Sequence, residues 1–437
     1  MGLGLTQYIP LIIYITSFII AFLSLFINPT LGVLFLFPLL PYQIIFEKIK
    51  LWTFGKDIND IIIISILFGV FLKNNNTSKK NNAIRTKTSL YLPIIVLCIT
   101  SLISFINATL TSGLGFDLNN NYLLDWKNYM LLPLIWFLTF KNIKDLKNLK
   151  LLLFLLIMGI LGADYYFSIN LKWMNMWHFS ERVRNMMDGL FVYLGANHYG
   201  AFFAHFIFIL IGIFLFEKSK YWKLILLGII FFTGYCLVYS YSRGAYIALI
   251  AGLVFIGLVK EKRILLLLLV FFMFWRNLVP ISVYERITMT KTESGELEES
   301  AAIRIVLWNK ALEMFKESPI IGKGFNTFQF TFNNRLWLDT HNYYLKMLVE
   351  QGILGLSAFL YLLFSAFNAG WKLFKESDEN TLKGLGLGFA SCIIAVALTN
   401  AFGDRWTYLS LGSYLWIFMG LVTRAQLIIK PSKQKQE

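Results

Sequence analysis

Two arginines and one histidine carry the chemistry that this sequence can do. Arg243 stands in Ser242-Arg243-Gly244, Arg304 in a polar stretch at 281–342, and His341 in Asp339-Thr340-His341-Asn342-Tyr343, where that stretch meets the next apolar run. No Asp or Glu occurs between Lys218 and Lys260, which excludes a local intrahelical ion pair for Arg243; Glu261 falls at the other membrane face. A guanidinium so placed either snorkels to headgroups or holds an anion. Gly244 beside it permits a close backbone approach or a special turn.

Arg304 falls on a helix expected from Ser300 to about Glu317, capped by Ser300 and stopped ahead of Pro319. Ile303, Leu307, Ala311 and Met314 recur on one face, with Trp308 one turn beyond Arg304. This pattern predicts a helix lying along the membrane surface, with Arg304 either facing water or entering a site. For His341, a cap at Asp339 or Thr340 puts the imidazole in the first helical turn. The dipole there disfavours imidazolium, so the ring stays neutral and can serve as a base; the alternative is a purely structural histidine. Together the three groups fit the handling of an anionic lipid.

The elements that must position them are membrane helices. The chain is 57% hydrophobic and 17% aromatic, and apolar runs long enough to cross a bilayer recur along it. They fall near 8–27, 58–72, 90–108, 126–140, 151–170, 198–216, 222–240, 243–259, 264–280, 343–370, 382–402 and 405–426. The fold class is therefore all-α: a polytopic membrane protein with about twelve spans and one large external loop containing short helices. Residues 30–46 are apolar but interrupted by Pro38 and Pro41, which predicts a further span, a broken helix or an interfacial segment. The domain expectation is a bundle over 1–280, the loop at 281–342, helices over 343–426 and a cytoplasmic tail at 427–437. The N-terminus lacks a basic region and a small-residue cleavage site, so the first run is expected to be retained.

Sidedness follows from the lysines. Six connections, around 73–87, 141–150, 217–223, 260–263, 372–383 and 424–437, carry 22 Lys and Arg against 7 Asp and Glu. That surplus of 15 equals the formal charge of the whole chain. The basicity is thus a topology signal that puts these connections inside, and it calls for no nucleic-acid partner. The 281–342 loop, with 7 basic and 8 acidic residues, lies on the opposite side. Cys98, Cys236 and Cys392 fall inside predicted spans and form no disulfide framework or zinc spacing.

The same external face carries Lys127, Arg184, Asn197 and Asn342 as further candidates for substrate contact. Arg182 beside Glu181 and Arg405 beside Asp404 read as structural ion pairs. No Asp-x-Asp occurs, and Glu296, Glu298 and Glu299 near Gly295 read as a solvated turn, so no metal or other cofactor is expected. Ile321-Gly322-Lys323-Gly324-Phe325-Asn326 is a glycine-punctuated turn without the Lys-Ser/Thr of a phosphate-binding loop.

Taken in order, Tyr241-Ser242-Arg243-Gly244-Ala245, Arg304-Ile305-Val306-Leu307-Trp308, Pro319 to Phe325, and His341-Asn342-Tyr343 running into Glu350-Gln351-Gly352 resemble the O-antigen ligase and polymerase superfamily of bacterial membrane glycosyltransferases. The resemblance covers about residues 195–360. It implies transfer of a glycan from undecaprenyl diphosphate at the outer face of the inner membrane, with the large loop periplasmic and the C-terminus cytoplasmic. It makes Arg243 and Arg304 diphosphate ligands and His341 the group that activates the acceptor hydroxyl; Lys127, at the outer end of its own helix, is a third candidate phosphate contact. Lipid A-core is the favoured acceptor; a second lipid-linked glycan (polymerase) or a protein side chain (protein O-glycosyltransferase) are the alternatives within the superfamily. From another class, an anionic-lipid transporter would need ionisable groups deep in the spans and internal repeats, whereas Asp164 is the clearest such group and no repeat is evident.

Overall fold

The computed structural model describes residues 4–77, 88–113, 121–171, 190–191, 194–288, 299–331 and 339–434. Among them every regular element is helical. In chain order these are α1 (Gly4–Phe26), α2 (Pro29–Leu36), α3 (Gln43–Ile49), α4 (Ile58–Thr77), α5 (Tyr91–Ser112), α6 (Asn121–Asn142) and α7 (Leu146–Leu171). They continue with α8 (Ala196–Phe216), α9 (Lys220–Val238), α10 (Arg243–Val259), α11 (Arg263–Leu278) and α12 (Ile281–Thr288). The last are α13 (Glu299–Glu317), α14 (Thr327–Thr331), α15 (Tyr343–Glu376), α16 (Asn380–Asn400) and α17 (Leu409–Gln434).

Each of the twelve expected spans falls on a helix, but the described residues give eight helices long and apolar enough to cross a membrane, or up to ten if bent pairs count as spans. The difference has identifiable causes. Helix α10 has only 17 residues, while α4 and α6 carry polar groups such as Asn59, Asp60, Asp125, Lys127 and Asn128 that dilute their apolar character. The proline-interrupted segment forms two helices bent by 107° around Pro38 and Pro41, and α11 meets α12 at 103° next to Pro280.

Contacts divide the chain into two compact units. The first comprises Met1–Thr88, Leu132–Gly195 and Leu409–Glu437. Its helices pack through small gaps: Tyr42 donates from its hydroxyl to the Gly159 carbonyl at 2.6 Å, and Tyr414 to that of Pro38 at 2.8 Å. Pro38 has lost the intrahelical partner of its carbonyl, so a phenol replaces it inside an apolar layer. Asp164, fully buried, belongs to this unit.

The second unit, Ser89–Leu131 with Ala196–Tyr408, contains the three reactive groups singled out above. Its central pair is α8 and α16, which run antiparallel at glycine-lined contacts. A side chain added at Gly212 would lie 2.3 Å from the Gly384 carbonyl oxygen, and one at Gly388 would lie 2.4 Å from that of Phe208. Without a hydrophobic drive between helices in lipid, close backbone approach supplies the dispersion contacts that hold them. Chain order then fixes the ends. The first turns of α8, α10 and α15 and the last turn of α16 gather at one end, while the lysine-bearing turns near 217–220, 260–263 and 375–380 lie at the other.

Candidate active site

The turn before α10 is built for close packing. Tyr241 adopts a left-handed conformation (φ 54°) and turns the chain sharply from α9 into α10. Ser242 then lies over Gly200 of α8, where a side chain would come within 2.5 Å of the Ser242 Cβ. Gly244 makes the close approach open to it: its would-be Cβ meets the Phe402 ring at 2.9 Å. Arg243 is thereby held at the mouth of the helix bundle, half-buried.

Helix α13 starts at Glu299, one residue ahead of the expected cap, and ends before Pro319. Its apolar face does not lie on the membrane. Leu307, Ala311 and Met314 pack with Phe328 and Val349, flanked by Ile303, Phe315 and Leu345. Burying the Leu307 and Met314 side chains stabilises this docking by roughly 1.5–3 kcal/mol each. The stripe is therefore protein-facing, which turns Arg304 towards the bundle.

The glycine turn explains how that loop is anchored. Helix α15 is broken at Gly352 (φ 65°, ψ −163°), a conformation open to glycine. The break frees backbone groups that an apolar setting cannot leave unsatisfied. Residues 319–324 fill them: Lys323 and Gly324 donate to the carbonyls of Val349 (2.7 Å) and Glu350 (2.9 Å). In return Ile353 and Leu354 donate to Pro319 (2.9 Å) and Ile320 (3.3 Å). Side chains at Gly322 or Gly352 would lie 2.4 and 2.2 Å from the opposing backbone, so neither position tolerates one. The glycine turn is thus a structural dock between loop and helix.

His341 differs from expectation. Asn342, not Asp339 or Thr340, caps α15, accepting from Tyr344 (3.0 Å) and Leu345 (3.3 Å). His341 therefore precedes the helix, in a left-handed conformation (φ 51°) rather than in a first turn. Strain of this kind persists only where the surroundings impose it. Here the Trp308 indole donates to the Thr340 carbonyl at 3.0 Å, and Thr340 bonds Asp339 and Asn342. The helix that carries Arg304 thus also fixes the turn that carries His341. Burial lowers the imidazole pKa, Arg304 and Arg405 lower it further, and Asp339 opposes them. Burial and the two arginines, rather than a helix dipole, thus hold the imidazole below its ordinary value.

Arg243, Arg304 and Asn197 line one cavity of about 240 Å³. Two more arginines line it that sequence reasoning did not place there, Arg286 and Arg405, and none of its described lining residues is acidic. Arg286 comes from the short α12, tied to the Tyr241 turn by a 3.1 Å contact between the Tyr241 and Ser282 hydroxyls. Its clue was weak, a lone arginine on an amphipathic stretch after Pro280.

Arg405 is a correction: the expected ion pair with Asp404 is not its main contact. Asp404 turns its carboxylate to Lys346 (3.0 Å) and to the amides of Trp406 (2.9 Å) and Thr407 (3.0 Å). Burial would raise the Asp404 pKa, but Lys346 and these hydrogen bonds outweigh it and hold the carboxyl below its ordinary value. Arg405 instead donates from Nη1 to Nε2 of His198 at 2.7 Å and to its neighbour's carbonyl, and its backbone amide is held by Asn400. Burial pushes its pKa down to about 10, so it keeps its charge at neutral pH. His205, buried two helical turns further along α8, bonds Thr399 at 2.7 Å.

The remaining candidates do not join the cavity wall. Lys127 sits on α6, and Asn342 uses its side-chain carbonyl as the cap. Arg184, like Arg182, Glu181, Glu296 and Glu298, lies outside the described residues. Among the described residues no three His, Cys, Asp or Glu side chains come together as a metal site.

Residues 228–360 match the sequence model of the O-antigen ligase family, which fits the resemblance of the motifs and supports a membrane glycosyltransferase of the O-antigen ligase/polymerase type. The matched stretch contains Arg243, Arg286, Arg304 and His341, whereas Asn197 and Arg405 lie beyond it. No curated protein matches the chain.

Proposed function

We propose that this O-antigen ligase-type chain moves a glycan from undecaprenyl diphosphate to an acceptor hydroxyl, lipid A-core being the favoured acceptor, at the outer face of the bacterial inner membrane. The observation that carries this reading is the convergence of Arg243, Arg286, Arg304 and Arg405 on one cavity without an acidic wall; His341 is not among its lining residues but lies within electrostatic reach of Arg304 and Arg405.

Four fixed positive charges match a group that carries two negative charges and gains another as it leaves. Guanidinium offers paired, permanently charged donors to phosphate oxygens, which suits recognition of a diphosphate. In the reaction, the acceptor oxygen attacks the anomeric carbon and passes its proton to His341. The bond from that carbon to the phosphate oxygen breaks, and the lipid diphosphate leaves with the electron pair. Arginines already in place stabilise that charge without reorganisation. They fill the role that a divalent cation plays in other glycan transfers, so this reading needs no metal.

The geometry also supports the sidedness. The lysine-bearing turns of the second unit end its helices opposite the cavity, and the positive-inside rule puts such turns in the cytoplasm. The 281–342 segment then faces the periplasm and the C-terminus the cytoplasm.

The test is transfer by purified protein in EDTA from an undecaprenyl-diphosphate-linked glycan, wild type beside His341→Ala. Lipid A-core, a second lipid-linked glycan and a peptide are offered separately. Product with one acceptor in wild type alone supports the reading and identifies the acceptor class. Absence of product with every acceptor, with magnesium restored as well, refutes it and favours lipid transport.

A further inference from the structure

Lys346 is a lysine in the first turn of a membrane-length helix, and it is 6% exposed. A buried ammonium is costly unless paired, and here it has two partners. Its Nζ lies 3.5 Å from Oδ2 of Asp339 and 3.0 Å from Oδ2 of Asp404. These carboxylates belong to different turns. Asp339 opens the turn that ends in His341, and its other oxygen accepts from the Thr340 amide at 2.7 Å. Asp404 immediately precedes Arg405, and its other oxygen accepts from Trp406 and Thr407. One side chain therefore links the histidine-bearing turn to the arginine-bearing turn.

The charges around His341 give this link a second consequence. The groups that act on the imidazole are Asp339 from its own turn, Arg304 from α13 and Arg405 from the turn after α16. Asp339 is the one that favours imidazolium, and the Lys346 ammonium lies 3.5 Å from one of its oxygens. Glu350, buried one turn further along α15, is a third carboxyl group that acts on the lysine.

We propose that Lys346 is a positioning residue: its ammonium, shared between Asp339 and Asp404, clamps the His341 turn to the Arg405 turn and shields His341 from Asp339. This deepens the proposed function, since it takes His341 as the base and Arg405 as a donor-holding group.

The test reads His341 directly. The chain has 4 histidines, so isotope-labelled imidazoles in nanodiscs can be titrated by NMR, with His341 assigned from the spectrum of His341→Ala. Lys346→Met should raise the His341 midpoint by about one pH unit, the usual scale for an opposite charge left unscreened nearby. Lys346→Arg, which keeps the charge, should titrate near wild type. If Lys346→Met does not fold, Lys346→Met with Asp404→Asn removes the buried member of its two partner carboxylates and should show the same rise. An unmoved midpoint in the Met variants, or an equal rise in Lys346→Arg, overturns the proposal.

Glycan transfer adds a second readout. Lys346→Met should lose up to about tenfold on the acid side of the profile and recover at higher pH, as a one-unit shift requires. A loss that is the same at every pH overturns the shielding role. A wild type that transfers nothing refutes the glycosyltransferase reading instead, and the titration still decides on Lys346.

Discussion

Arg286 offers the sharpest test of the cavity, because its placement owes nothing to the motifs read from sequence. It sits on α12, half-buried, and shares the cavity wall with Arg243, Arg304 and Arg405. The perturbation is Arg286→Gln, which keeps much of the side-chain length and its helix propensity but removes the charge. Two unit charges about 5 Å apart at an effective dielectric of about 20 interact by roughly 3 kcal/mol, an upper figure for a half-exposed group. A hydrogen bond to a charged group contributes about 1.5–3 kcal/mol in mutational series. Taking about 2 kcal/mol, donor affinity should fall roughly 30-fold. Part of the effect should appear in kcat, because charge on the diphosphate grows as the glycan departs. The assay is binding of an undecaprenyl diphosphate analogue to purified protein in nanodiscs, paired with transfer kinetics and a thermal melt. The melt should stay near wild type, since Arg286 is not a core group. Unchanged affinity and unchanged kcat in a normally folded variant would refute the four-arginine site.

Arg243→Ala and Arg304→Ala should each abolish detectable transfer mainly through loss of donor binding, read in the same binding assay; retained binding would count against their role. His341→Ala should keep donor affinity within a few-fold and remove turnover. The acid limb of kcat/KM should lie below the ordinary imidazole value of 6.5, because burial, Arg304 and Arg405 all lower the His341 pKa in the free protein. Activity should therefore persist as pH falls and be lost only as His341 takes up a proton; a midpoint above 6.5 would contradict this. Gly352→Ala places a side chain 2.2 Å from the Ile320 carbonyl at a positive φ. It should destabilise the loop dock by about 3 kcal/mol or more, visible as a lower melting temperature and faster proteolysis within 319–331.

Much of this protein is legible in its residues because membrane helices have a strong local signature. Apolar length and proline interruption put each expected span on a helix and located the break near Pro38 and Pro41, although among the described residues eight to ten helices, not twelve, are long and apolar enough to cross a membrane. Serine, arginine and glycine between two apolar runs marked Arg243 without any view of its neighbours. What remained hidden depended on contacts between segments distant in sequence. The stripe of α13 looks the same whether lipid or protein covers it, and only the docked Gly352 break shows that protein does.

The caps tell the same story at smaller scale. Asp339, Thr340 and Asn342 are all competent caps, so local rules could not choose among them. The Trp308 bond to Thr340 and the Lys346 contact with Asp339 fix the turn, and with it the left-handed backbone at His341. On sequence alone Asp404 is the simplest partner for Arg405, because the two opposite charges are adjacent. Folding gave that carboxylate to Lys346, 58 positions away, and freed the guanidinium to reach His198 and the cavity. Local composition determined the helices and the identity of two of the four arginines. Tertiary structure decided the other two, the setting of the histidine and the lysine beneath it, because electrostatic partners in a buried site are selected by proximity in space.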